Sequence, residues 1–244
     1  MKSLTKILLA TALLAGTGET FAKPLPVKNT CTIDIQDRRL SGFNAVSVAG
    51  SFDVYIKQGS TESVKVEADD DVIDRIVTEV KDGELRISTK KSSSDWGFNW
   101  GSKKRVVYVT VKDVNSISLS GSGDVYFKDG IRASKLQVRL SGSGDISGKI
   151  DVGTLESSIA GSGDITLSGR AQSSSISVAG SGDFTGRDLV TNSTTVKVVG
   201  SGDARVNANQ QLNASIAGSG DVYYTGSVKQ VSTSKSGSGG ISRY

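Results

Sequence analysis

Gly121-Ser122-Gly123-Asp124 recurs as Gly142-Ser143-Gly144-Asp145, Gly161-Ser162-Gly163-Asp164, Gly180-Ser181-Gly182-Asp183, Gly200-Ser201-Gly202-Asp203 and Gly218-Ser219-Gly220-Asp221, then degenerates to Gly237-Ser238-Gly239-Gly240. The steps between copies are 21, 19, 19, 20, 18 and 19 residues. An earlier copy is Gly50-Ser51-Phe52-Asp53. Laying residues 43–59 on 114–130 makes nine of seventeen positions identical, among them Tyr55/Tyr126 and Lys57/Lys128. Eight copies therefore exist, with residues 60–113 inserted between the first and the second.

Apolar residues keep step with the tetrapeptide. Two residues before each first glycine stand Val48, Leu119, Leu140, Ile159, Val178, Val198, Ile216 and Lys235, and only the last is polar. Four residues after it stand Val54, Val125, Ile146, Ile165, Phe184, Ala204, Val222 and Ile241. A third column, ten residues after it, holds Ile131, Val152, Ala171, Val190, Gln210 and Val228. Helical periodicity does not generate columns spaced this way, whereas a three-sided coil with one or two inward side chains per side does. One such coil cannot bury its apolar side, but stacked coils pair strand on parallel strand and bring equivalent side chains into ladders.

The fold expected is all-β: a right-handed parallel β-helix of about eight rungs. At about 4.8 Å per rung it would be a prism on the order of 40 Å long. Right-handedness follows from the hand of parallel crossovers. An antiparallel meander with the tetrapeptide as hairpin loop competes with this reading, but Gly148 and Gly186 would cut its second arms short. The insertion reads as a hairpin-rich segment near the N-terminal end. It has strands at 64–66 and 106–111, one helical turn within 70–76 and a tight Asp82-Gly83 turn, placed to cover the open sheet edge of the solenoid.

The N-terminus reads as a secretory signal peptide over residues 1–22. Lys2 and Lys6 precede an apolar run at 7–15, and Thr20-Phe21-Ala22 supplies the small-residue exit. Residues 23–41 form an extension and 42–244 the solenoid domain, with regular repeats over 114–244. No stretch reaches the roughly 18 apolar residues of a membrane helix, so an exported protein of periplasm, outer surface or medium is expected. Loss of Lys2, Lys6 and Glu19 lowers the formal charge from +4 by two and raises it by one, to +3, which is too little to suggest nucleic acid as a partner. Cys31 is the only cysteine, so no internal disulfide forms, and the absence of histidine excludes His triads and His metal sites.

Seven aspartates, Asp53, Asp124, Asp145, Asp164, Asp183, Asp203 and Asp221, should stack in one column. One carboxylate per roughly nineteen residues supplies too few ligands for a calcium β-roll. A structural role is expected instead, each aspartate accepting from amides of its own Gly-Ser-Gly turn, and no metal or other cofactor is expected. No nucleophile–base pair or paired carboxylates can be assembled, so no catalytic residue is assigned. Trp96, Phe98 and Trp100 alternate within a lysine-flanked segment and are the candidate ligand-binding residues, suited to stacking on an envelope glycan or anchoring a protein.

The same residues resemble the bacterial family described as "putative auto-transporter adhesin, head GIN domain". The resemblance runs through Gly42-Phe43, Val46-Ser47-Val48, Asp53-Val54-Tyr55-Ile56, Val64-Lys65-Val66-Glu67, Asp82-Gly83-Glu84-Leu85 and Val107-Tyr108-Val109 to Ile117-Ser118-Leu119-Ser120-Gly121-Ser122-Gly123-Asp124. It implies a β-helical envelope or extracellular domain with no catalytic residues to carry over. A true auto-transporter has a C-terminal membrane barrel, whereas this sequence ends at Tyr244 within its last rung. The function expected is therefore non-enzymatic: adhesin-like binding, or a periplasmic structural module. A polysaccharide-acting β-helix enzyme is the remaining alternative.

Overall fold

The computed structural model describes residues 33–90 and 104–244. In chain order its strands are β1 (Ile33–Asp37), β2 (Ala45–Ala49), β3 (Asp53–Gln58), β4 (Ser63–Asp69), β5 (Ile76–Lys81), β6 (Glu84–Thr89), β7 (Arg105–Val111) and β8 (Ser116–Gly121). The regular part continues through β9 (Asp124–Gly142), β10 (Ile146–Gly161), β11 (Ile165–Gly180), β12 (Phe184–Gly200), β13 (Ala204–Gly218), β14 (Val222–Thr225), β15 (Gln230–Gly237) and β16 (Ile241–Arg243). Among the described residues a single 3-10 turn, Ile73–Arg75, interrupts the strands.

From β8 onward every pairing is parallel, which rules out the meander. The first two apolar columns are ladders in register. Leu119, Leu140, Ile159, Val178, Val198 and Ile216 are successive partners, as are Val125, Ile146, Ile165, Phe184, Ala204 and Val222. All of these side chains are buried. The solenoid has about seven turns rather than eight rungs. Eight corner copies enclose seven intervals, and beyond the last corner the only strand is the three-residue β16.

The third column is less regular than its spacing suggested. Ile131 pairs with Ile150 instead of Val152, and Val190 lies beside Arg170 and is 40% exposed. Turns of unequal length force the change, because register shifts occur between Gly148 and Ile150 and between Thr166 and Gly169. Where Leu136 and Leu155 stack, the next turns place Ser174 and Thr194, whose hydroxyls bond each other at 2.8 Å inside the core. Thr191 closes this group, at 2.6 Å from Thr194 and donating to the Asn207 carbonyl.

Gly148 does not cut a strand short. β10 runs straight through it, and a Cβ there would overlap the buried Phe127 ring on the neighbouring strand.

The insertion builds the N-terminal end. β6 pairs in parallel with β2, and β7 pairs in parallel with β3, so chain that comes after the first copy in sequence is stacked outside it. Antiparallel strands then seal this end, β5 on β6 and β4 on β7, with β1 added to β4. The Asp82-Gly83 turn joins β5 to β6, with φ of 54° and 77° at its two residues. An antiparallel hairpin edge does not template another parallel coil, so the solenoid is closed on this side. At the other end β15 and β16 each pair only inward, with β13 and β14.

Candidate functional site

The corners are the most repetitive part of the surface. Gly180 has φ +128°, a region that side chains avoid, and a Cβ on Gly180 or Gly182 would overlap a glycine carbonyl of the preceding corner. Closely stacked corners share hydrogen bonds: Ser181 and Gly182 amides both donate to the Gly161 carbonyl, at 2.9 and 3.1 Å.

The aspartates continue that linkage, though not within their own turns. Asp145 N donates to Asp124 Oδ1 at 3.0 Å, and the same bond recurs from Asp164 to Asp145, Asp183 to Asp164, Asp203 to Asp183 and Asp221 to Asp203. Each carboxylate thus accepts from the next corner. The second oxygen is used where a neighbour reaches it: Tyr126 donates to Asp124, Arg205 bridges Asp183 and Asp203, and Tyr223 donates to Asp221. Asp53 stands apart, because the Asp124 amide donates to the Phe52 carbonyl at 2.9 Å instead. Burial and then the nearby Asp124 charge raise the Asp53 pKa above the ordinary carboxylate value, with Arg105 acting in the opposite sense. Among the described residues no group of three or more Cys, Asp or Glu is placed to hold a metal ion.

Two residues beyond the aspartates, on the same outer face, the first strands carry tyrosines. Tyr55 of β3 is the register partner of Tyr108 on β7 and of Tyr126 on β9. The three rings stack, with centroids 5.6 Å apart at 21° and 5.1 Å apart at 22°. Two of them are about two-fifths exposed, Tyr55 at 42% and Tyr108 at 43%. Their rims are held by polar partners: Tyr108 Oη donates to Glu67 Oε2 at 2.9 Å, and Lys104 Nζ donates to Glu67 Oε1 at 2.6 Å. Those two bonds lower the Glu67 pKa, and the bond to Glu67 raises that of Tyr108. Burial first, then the bond to Asp124, pushes the Tyr126 hydroxyl up to about 12, so it is a neutral donor at physiological pH.

On the far side of Tyr126 the stack stops. Its partner on β10 is Ser147, too small to cover a ring. Lys128 Nζ lies 5.4 Å from the Tyr126 centroid, within cation–π range. The rings, Lys57, Lys128 and Thr110 line a cleft of 270 Å³. Asp129 lines this cleft and also a larger one of 620 Å³, which continues past Arg132, Lys149 and Arg170.

Trp96, Phe98 and Trp100 lie outside the described residues, as do Cys31 and the signal segment. The aspartates do form one column, and its first member borders the tyrosine stack. The stack itself is not among the sites expected from the sequence. Its signal there is the shared Tyr55/Tyr126 and Lys57/Lys128 of the two aligned segments. Tyr108 carries no such signal, because only the stacking of β7 outside β3 brings it alongside.

A family profile described as "Putative auto-transporter adhesin, head GIN domain" matches residues 42–228. The chain belongs to this family. The assignment implies an exported or surface protein, and no helix among the described residues is long and apolar enough to cross a membrane. The GIN-domain chain is similar in structure to a "putative adhesin" from Bacteroides fragilis, with TM-score 0.79 and 27% identity over 87% of this chain and 97% of that one. A "putative lipid binding protein" from Parabacteroides distasonis follows at TM-score 0.72 and 26% identity, covering 88% of this chain and 98% of that one. A second "putative adhesin" from Parabacteroides distasonis, 23% identical with TM-score 0.70 over 88% and 98%, shares the fold. No curated protein matches. Neither the family nor these neighbours carries an enzymatic description.

Proposed function

We propose that this GIN-domain protein is a non-enzymatic binding module exported to the envelope or cell surface, engaging an envelope glycan or protein through the outer face that carries Tyr108, Tyr55 and Tyr126. The stack, in which Tyr55 and Tyr108 are about two-fifths exposed, supports this reading. Aromatic faces fixed on a hydrogen-bonded sheet lose little conformational freedom on binding, and they suit sugar rings and protein anchors alike. The adhesin description of the family agrees in kind, and the fold alone is silent on the ligand.

The test is binding of the purified mature chain to intact bacterial cells and to immobilised envelope polysaccharides. Changing Tyr55 and Tyr126 together to serine should remove binding while the β circular-dichroism signal and melting temperature stay close to the parent. Unchanged binding would refute the tyrosine face. In that event, a Trp96→Ala/Trp100→Ala variant that no longer binds would locate recognition in the tryptophan segment.

A periplasmic structural module is the second reading. It draws on the aspartate column, in which the Oδ1 atoms from Asp124 to Asp221 are all committed to backbone amides. Protease shaving of intact cells separates the two, since a periplasmic protein is protected and a surface adhesin is cleaved.

A further inference from the structure

We infer that the ligand of the tyrosine face is an acidic saccharide chain, with one pyranose ring in the cleft lined by Tyr55, Tyr108 and Tyr126 and its acid groups directed to Lys128, Arg132 and Lys149. This rests on the binding function proposed above and gives it a substrate class.

Charge is the first reason. Lys57 and Asp129 approach to 3.7 Å, both about two-thirds exposed, and Arg170 is paired to Asp151 at 2.7 Å. Lys128, Arg132 and Lys149 have no carboxylate partner among the described residues, so the joined clefts carry surplus positive charge. A neutral ligand would leave that charge unused, while an acid group gains a charge-assisted contact.

Shape and the remaining polar groups favour a saccharide over other anions. The 270 Å³ cleft lined by Tyr55, Tyr108 and Tyr126 offers room for one sugar ring against the stack. Asp129 and Asp151 stand among the cations, where they would repel a continuous row of phosphates but accept hydrogen bonds from sugar hydroxyls. Apolar ring face, hydroxyl and acid group thus each meet a matching element across the two neighbouring clefts. The two clefts share Asp129 in their linings, so a chain of more than one sugar can reach both.

The experiment measures affinity of the mature chain for a galacturonate hexamer, a hyaluronan hexamer, a sulfated chondroitin hexamer, the neutral galactose hexamer and phosphatidylglycerol vesicles. At least one acidic hexamer should bind, with affinity falling as salt rises, and the neutral hexamer should bind about tenfold more weakly or less. Lys128→Met combined with Lys149→Met should weaken the salt dependence and reduce affinity about tenfold. Tyr126→Leu should weaken acidic binding while the melting temperature holds. Equal binding of the neutral hexamer would overturn the acidic assignment and leave the aromatic face in place. Tyrosine-dependent binding to cells that none of the acidic hexamers competes would overturn the saccharide and leave the adhesin reading standing. Vesicles binding more tightly than every hexamer would overturn it in favour of a lipid surface.

Discussion

The Gly240 amide donates to Asp221 Oδ1 at 2.6 Å. Gly240 occupies the aspartate position of the last corner and supplies through its backbone the donor that the column uses there. The ladder runs one way along the solenoid, each aspartate from Asp124 to Asp221 serving the corner after it.

The direction of the ladder predicts the effect of breaking it. Asp164→Ala removes the acceptor of the Asp183 amide, a bond of 2.8 Å at the surface, and should cost about 1 kcal/mol. Asp164→Asn keeps an oxygen acceptor and removes one charge from the column, so it should be neutral or slightly stabilising. Urea titration of both variants decides the matter. Equal losses would mean that the hydrogen bond contributes nothing.

Because one oxygen of each carboxylate from Asp124 to Asp221 is already engaged, chelator should leave the melting temperature unmoved. A calcium-dependent rise of several degrees would show that cation binding competes successfully with the amides.

Asp53, the first aspartate of the column, is expected to respond to pH. Its pKa lies above the ordinary 3.8, chiefly through burial and then through Asp124, so the fold prefers the protonated form. Its stabilising contribution is present below pH 3.8 and lost as pH rises through the folded value. Asp53→Asn should therefore raise the melting temperature at pH 7, and the gain should vanish in acid below that value. A variant that melts lower than the parent at pH 7 would indicate that the Asp53 charge has a favourable partner.

Gly180→Ala combines an unfavourable φ with overlap against the Gly161 carbonyl, and neighbouring corners leave no room for relaxation. A loss of about 3 kcal/mol or more is expected. Thermal unfolding measures it, and a loss under about 1 kcal/mol would show that the corners are less tightly stacked.

Lys235 is the register partner of Ile216, at the end of a column that is apolar in every earlier turn, and it lies exposed on the edge strand β15. A charge in an inward column of an edge strand discourages addition of another strand. Lys235→Val should produce concentration-dependent self-association in light scattering, whereas the parent stays unassociated over the same range. Identical behaviour of the two would assign the protection to something else.

The ladders are legible in the sequence because every turn repeats one pattern. When Leu140 and Ile159 both sit two residues before a glycine corner, stacking the corners aligns them, and no long-range information is needed. The same local logic explains the errors. Counting from its corner points Val190 inward, but turns of unequal length slip against one another, and the slip is settled by which backbone groups can pair across it. The acceptor role of the aspartates is legible too, but the sequence points to the wrong amides, since a carboxylate's own turn and the next corner offer the same donors and differ only in space.

Sequence alone determined the repeating coil, its corners and its principal buried columns, because burial and backbone pairing in a solenoid are nearest-neighbour properties written once per turn. Only the tertiary structure decided the tyrosine stack. Tyr108 follows Tyr55 by 53 residues yet lies against it, because the insertion returns to stack β7 outside β3. That return reflects the free-energy cost of leaving the first coil's backbone edge and apolar columns open to water, a requirement of the assembled solenoid rather than of any one segment.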